Sequence, residues 1–172
     1  PQTEVVKQKG YEVFYLTDPV DEFVFQALDA QDGKPFQNVS KGDLDLVSEE
    51  EKQETEQAAE EGKDLLDFIK ETLGDQVVDV RLSTTLVSHP VCLNSQGTVT
   101  LEMERYFRSI PGDDGSIRAA RVLEINPRHP LYAKLQEAFA TDKDRCADMA
   151  RVLYAQASLI AGMPLDDPAE YT

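Results

Sequence analysis

The sequence predicts an α+β protein, and three observations carry that prediction. Apolar residues recur at helical spacing through several stretches, most clearly over 142–162. Three short runs, 78–82, 91–93 and 121–125, have the composition of strands in one small sheet. A run ahead of them, 11–16 (YEVFYL), is almost wholly apolar, β-branched or aromatic, as in a strand covered on both faces.

The chain has 172 residues, 41% hydrophobic and 29% charged, which is globular composition and enough to bury a core. Its formal net charge of −16 repels phosphate backbones, so nucleic acid is excluded as a natural partner. No apolar run approaches the roughly 20 residues needed to span a bilayer, so no membrane role is expected. Opening at Pro1 with no basic-then-apolar leader, the chain reads as part of a longer cytoplasmic polypeptide. Cys92 and Cys146 are too few for a disulfide framework. With His89 and His129 they lack zinc-ligand spacing, so no metal site is predicted.

Taken in order, Gly10 is expected to close a first helix, and a strand over 11–16 follows. Asp18-Pro19 then starts a helix as N-cap and first helical residue, with Val20, Phe23, Val24, Ala27 and Leu28 at helical spacing. Asp32-Gly33 is a turn and 35–40 a second short strand, so this unit reads as a βαβ segment at the end of an α/β domain. The next stretch is strongly acidic. Residues 43–79 hold 14 acids against 3 bases, and the composition break marks a seam between units 1–43 and 44–172.

Ser48 and Glu51 fit a capping box opening a long acidic helix that should run to Gly74. Only its second half has an apolar stripe, Leu65, Phe68, Ile69 and Leu73, so the first half should fray or project. In the first strand Val78, Val80 and Leu82 alternate with Asp79 and Arg81. Between the second and third strands Val99, Met103, Phe107 and Ile110 form a helical stripe beside Tyr106, and 111–115 is a loop. Pro130 starts a helix, and Asp142 caps the next, which Gly162 and Pro164 close. That last helix has one seam of Cys146, Met149, Ala150, Leu153, Ala157 and Ile160 and the start of a second at Val152 and Leu159. Two apolar sides must both be covered. Asp167-Pro168-Ala169-Glu170 announces a further helix that Thr172 leaves incomplete.

Five segments together resemble the ninety-kilodalton heat-shock chaperone family, and within it the bacterial branch. They are GYEVFYLTDPVDEF (10–23), DGKPFQNVSKGDLDL (32–46), LGDQVVDVRLSTTLVSHPVC (73–92), LEINPRHPLYAKL (123–135) and LIAGMPLDDP (159–168). The resemblance implies that 1–43 is the end of a middle domain and 44–172 the carboxy-terminal dimerisation domain, its last helix truncated. It implies an ATP-dependent chaperone whose ATP and Mg sit in an amino-terminal domain outside this chain, so no catalytic residue and no cofactor are expected here. Gly112 and Gly115 are too isolated for a phosphate loop, and a hydrolase built on Cys92 and His89 would lack a nucleophile motif.

The resemblance also implies two kinds of partner, unfolded client proteins and a second copy of the chain. Client contacts carry over to Glu22, Phe23 and Gln26 on the helix after Asp18-Pro19, and to Val99, Met103, Tyr106 and Phe107 on the amphipathic helix. Pairing would use the helix 142–162 through Met149, Leu153, Ala157 and Ile160, and would be weakened where the second bundle helix is incomplete. The chemistry suits a client surface, because Met and aromatic side chains adapt to varied apolar shapes. Each anchor contributes roughly 1.5–3 kcal/mol gross, against association costs of roughly 4–15 kcal/mol, which leaves binding weak and reversible. The other reading is a pure oligomerisation module without a client surface. Asn126 and His129, at a strand-to-helix junction, are expected to cap rather than to catalyse.

Overall fold

Leu123 and Leu135, neither of which reaches solvent, mark the centre of the core. The computed structural model describes residues 3–18, 20–28, 30–39, 48–112 and 115–165. The seam at 43, the Pro19 position and the helix start at 167–170 lie outside the described residues.

Among the described residues the order is α1 (Thr3–Gln8), α2 (Asp21–Ala27), β1 (Ala30–Gln31), β2 (Lys34–Pro35), α3 (Glu49–Glu61), α4 (Lys63–Leu73), β3 (Asp79–Leu82), β4 (Val91–Gln96), α5 (Leu101–Arg108), β5 (Ala120–Ile125), α6 (Pro130–Thr141) and α7 (Lys143–Ile160). This is the expected α+β class. The main sheet has the order β3-β5-β4, with β3 parallel and β4 antiparallel to β5.

Register decides what each face does. Val80, Leu93 and Leu123 lie abreast, as do Leu82, Val91 and Ile125, and these six form the apolar face. Onto it pack Leu65, Ile69 and Leu73 of α4, Leu135 and Ala138 of α6, and Cys146, Ala150, Leu153 and Ala157 of α7. The opposite face is polar: Glu124 sits between Arg81 and Cys92, as the alternation of a strand requires.

Several expectations hold at the atomic level. The Ser48 hydroxyl accepts from the Glu51 N–H at 3.2 Å while the Glu51 carboxylate accepts from the Ser48 N–H at 2.9 Å. Gly10 ends α1, with the Tyr11 N–H reaching back to the Val6 carbonyl. His129 caps α6, Nδ1 accepting from the Leu131 N–H at 3.2 Å. Asn126 is buried and cross-links the end of β5 to the loop between β3 and β4 by donating to the Val87 and His89 carbonyls.

Several expectations are corrected. Residues 11–16 form no strand, because no described strand lies beside them, and Tyr11, Phe14, Tyr15 and Leu16 are exposed. The segment from Ala30 is a two-residue hairpin, β1 with β2, instead of the second half of a βαβ unit. The acidic helix is interrupted at Gly62: a side chain there would collide with the Tyr132 hydroxyl, and the residue leaves helical geometry at φ −93°, ψ 7°. Val99 precedes α5 instead of riding on it, because Thr100 is the N-cap, its hydroxyl accepting from the Met103 N–H at 3.2 Å. Val78 and Ile110 are likewise outside their elements and exposed. The first half of the acidic helix is seated by buried Thr55 and by Ala58 and Ala59, which rest against the core.

Candidate functional site

The short helix α2 is nucleated locally: Asp18 accepts from the Val20 N–H at 3.1 Å, and Asp21 accepts from the Asp18 N–H at 3.2 Å. Its expected core stripe is reversed. Val20, Val24 and Leu28 are exposed, whereas Glu22 is buried and Phe23 half-buried. The reason is what lies nearby. The helix turns Phe23 and Gln26 toward α5, and on its other side Phe25 meets Phe36 edge to face, ring centroids 5.0 Å apart, while Val20, Val24 and Leu28 stay open.

Six of the seven expected contact residues meet across these two helices. Phe23 touches Tyr106 and Phe107 edge to face, with ring centroids 5.5 and 5.9 Å apart, and Tyr106 and Phe107 lie 5.7 Å from each other. Gln26 donates to the Met103 sulfur at 3.5 Å and to Glu22 at 3.4 Å. Asn38 also donates to Glu22, at 3.2 Å, which satisfies a carboxylate that would otherwise be buried alone. Met103 is buried under this cluster. Val99 is the exception, half-buried against the main core.

Helix α7 divides the four expected pairing residues. Leu153 and Ala157 face the protein's own core and are buried. Met149 is half-buried and Ile160 exposed. The outward seam consists of Met149, Val152, Gln156 and Leu159, at coiled-coil spacing, with Val152 57% and Leu159 61% exposed. Met149, Val152 and Gln156 help to line a groove of about 360 Å³ beside Leu131 of α6. The sequence offered two seams; packing assigned them.

Beneath α5 lies a network that sequence reasoning missed. Glu104, fully buried, accepts from Arg121 at 2.7 Å and from the Ala119 N–H at 2.9 Å, and pairs with Arg108 at 3.1 Å. Arg121 donates onward to the Tyr154 hydroxyl of α7 at 2.9 Å, which donates to the Gln76 carbonyl at 3.3 Å. Burial opposes the charge on Arg121, but the Tyr154 hydroxyl and the Glu104 carboxylate outweigh it and hold its pKa above the ordinary arginine value. The i,i+4 spacing of Glu104 and Arg108 was legible in advance. Nothing in the sequence pointed to Tyr154.

The groups that tempt as catalysts have other work. Cys92 is buried, and burial together with the neighbouring Glu124 pushes its thiol well above its ordinary pKa, the reverse of an activated nucleophile. Glu124 itself accepts from Arg81 at 2.8 and 3.0 Å and from Ser83 at 2.9 Å. His89 faces Ser88 and Glu4 with the same ring nitrogen, Nδ1, so it joins α1 to the loop without forming a relay. No cluster among the described residues could hold a metal ion, and none of the described helices is long and apolar enough to cross a membrane.

The fold and site define an α+β protein whose principal composite surface is apolar and aromatic and spans two helices. The family model described as Hsp90 protein matches residues 1–172, and the chain belongs to the Hsp90 family. It is 44% identical over 172 residues to the chaperone protein HtpG of Bacillus subtilis and 44% over 171 residues to that of Clostridium acetobutylicum. To the HtpG of Shouchella clausii it is 45% identical over 172 residues. These alignments cover 99–100% of this chain and 27% of each relative, so the chain spans about a quarter of their length.

Proposed function

We propose that this chain is the client-holding and subunit-pairing part of an ATP-dependent chaperone acting in the bacterial cytoplasm, with residues 1–43 closing a middle domain and 44–172 forming the dimerisation domain. One observation carries the reading: two groups of residues far apart in the sequence, Glu22, Phe23 and Gln26 on α2 and Met103, Tyr106 and Phe107 on α5, converge on one aromatic face. Half-buried rings over a Met floor give an adaptable surface for apolar segments of unfolded chains. Pairing with a second copy would use the outward seam of α7, through Met149, Val152 and Leu159 with exposed Ile160 beside them, in place of the inward Leu153 and Ala157. ATP and Mg belong, on this reading, to parts of the protein outside this chain.

A second reading has its own support. Met103 and Glu22 are already buried and the rings already touch, which also suits a seam that only locks α2 to α5 in an oligomerisation module. Light scattering of a heat-aggregating protein separates the two. Phe107→Ser and Tyr106→Ser are the variants of choice, since buried Met103 would confound binding with folding. Suppression of aggregation by the parent chain and its loss in variants of unchanged circular dichroism supports the client surface. Absence of suppression by parent and variants alike supports the seam, and equal suppression by all of them would place client holding elsewhere on the chain.

A further inference from the structure

Tyr154 lies on neither candidate surface. It is buried on α7, and its hydroxyl begins a hydrogen-bonded chain that ends under the aromatic face: Tyr154 to Arg121 at 2.9 Å, and Arg121 to Glu104 at 2.7 Å. Glu104 sits on α5 next to Met103, with Phe107 and Arg108 one turn further along the helix. A fully buried carboxylate needs every partner it has, so α5 takes the position at which Glu104 meets Arg121 and the Ala119 N–H. Arg121 in turn is held by Tyr154.

A second contact joins the same two helices. At the end of α7 the Met163 N–H bonds to the Ser158 carbonyl and the Gly162 N–H to the Leu159 carbonyl, with Gly162 at φ +71° and Met163 buried. The Arg105 side chain of α5 lies against Gly162 so closely that a Cβ there would come within 2.6 Å of Nη1. A guanidinium over a helix C-terminus is also favoured by the helix dipole. So α5 is linked to α7 inside, through Tyr154, and its Arg105 lies against the end of α7 at the rim.

We propose that Tyr154 is a positioning residue for the aromatic face of α5, acting through Arg121 and Glu104, so that the helix carrying the outward pairing seam also sets the geometry of the face that would hold clients. The link to clients rests on the function proposed above; the link between the helices does not.

The test is Tyr154→Phe in the 172-residue chain, read by amide hydrogen exchange and by binding of reduced, carboxymethylated α-lactalbumin, a permanently unfolded protein. Exchange in α5 should quicken about tenfold, while β4 and β5 remain as in the parent. Binding should weaken several-fold, and adding Phe107→Ser should bring no further loss, because both changes act on one surface. Glu104→Gln, nearly the same in shape, should give the same local pattern and serves if the tyrosine variant folds poorly. Unchanged exchange in α5, or faster exchange spread evenly through the sheet, would overturn the positioning role. If Phe107→Ser alone leaves binding unchanged, the client surface fails, while quickened exchange confined to α5 still upholds the link.

Discussion

The rings of Phe23 and Tyr106 meet edge to face, their centroids 5.5 Å apart and their planes at 69°. Such pairs contribute roughly 0.5–1.5 kcal/mol beyond the area they bury, and here the pair ties a seven-residue helix to α5. Phe23→Leu keeps an apolar side chain and removes the ring. The Tyr106 and Phe107 ring-proton shifts should then move toward unstructured values while the unfolding midpoint stays within a degree or two. Unmoved ring shifts would mean that the three rings do not form a cluster in solution.

The two sides of α7 should respond oppositely to substitution. Leu153 is buried in the core, and Leu153→Ala should cost about 2–5 kcal/mol in denaturant unfolding. Leu159 is 61% exposed, so Leu159→Ser should alter monomer stability by no more than about 0.5 kcal/mol. Sedimentation equilibrium should nonetheless show weaker self-association for Leu159→Ser. Association that survives with the parent's affinity would move the pairing surface elsewhere.

The Arg81–Glu124 pair crosses from β3 to β5 with Glu124 almost wholly buried. Arg81→Met should strand that carboxylate and cost about 3 kcal/mol, whereas Arg81→Met with Glu124→Leu should recover most of the loss. Urea unfolding of the two variants decides it. A double variant as unstable as the single one would show that the pair stabilises the fold beyond satisfying its own charge.

Neither thiol should be reactive in the folded protein. Cys92 and Cys146 are both buried, and burial raises both above the ordinary thiol pKa. A disulfide reagent at neutral pH should label both only after denaturation. Rapid labelling of Cys92 in the native chain would contradict its environment and reopen a catalytic role.

The capping box gives a pH signature. Hydrogen bonds from the Ser48 N–H and hydroxyl hold the Glu51 carboxyl below its ordinary value of 4.5. A group whose folded pKa is lowered contributes above its unfolded pKa and loses that contribution as pH falls through the folded value. The Glu51 titration followed by NMR should therefore have its midpoint below 4.5, and the Ser48 amide shift should move with it. Glu51→Gln should abolish that amide step.

The sequence by itself determined the elements whose causes are local. The Ser48–Glu51 box, the His129 and Asp142 caps, the Gly10 and Gly162 closures and the alternation of Val80 and Leu82 all depend on neighbours within a few residues, and all are present. The two halves of the aromatic face come from the family resemblance instead, which places Phe23 and Gln26 on one helix and Met103 and Phe107 on another.

Tertiary structure alone decided which apolar surfaces are covered. An apolar run such as 11–16 becomes a strand only beside another strand, and a helix with two seams turns inward whichever one fits the layer beneath it. Leu153 and Ala157 therefore went to the core and Val152 and Leu159 to the outside, although the sequence makes both sides of the helix apolar. The Glu104–Arg121–Tyr154 chain was invisible for the same reason. Its members come from three elements, and only the register of β5 and the packing of α5 and α7 bring a carboxylate, a guanidinium and a phenol to hydrogen-bonding distance.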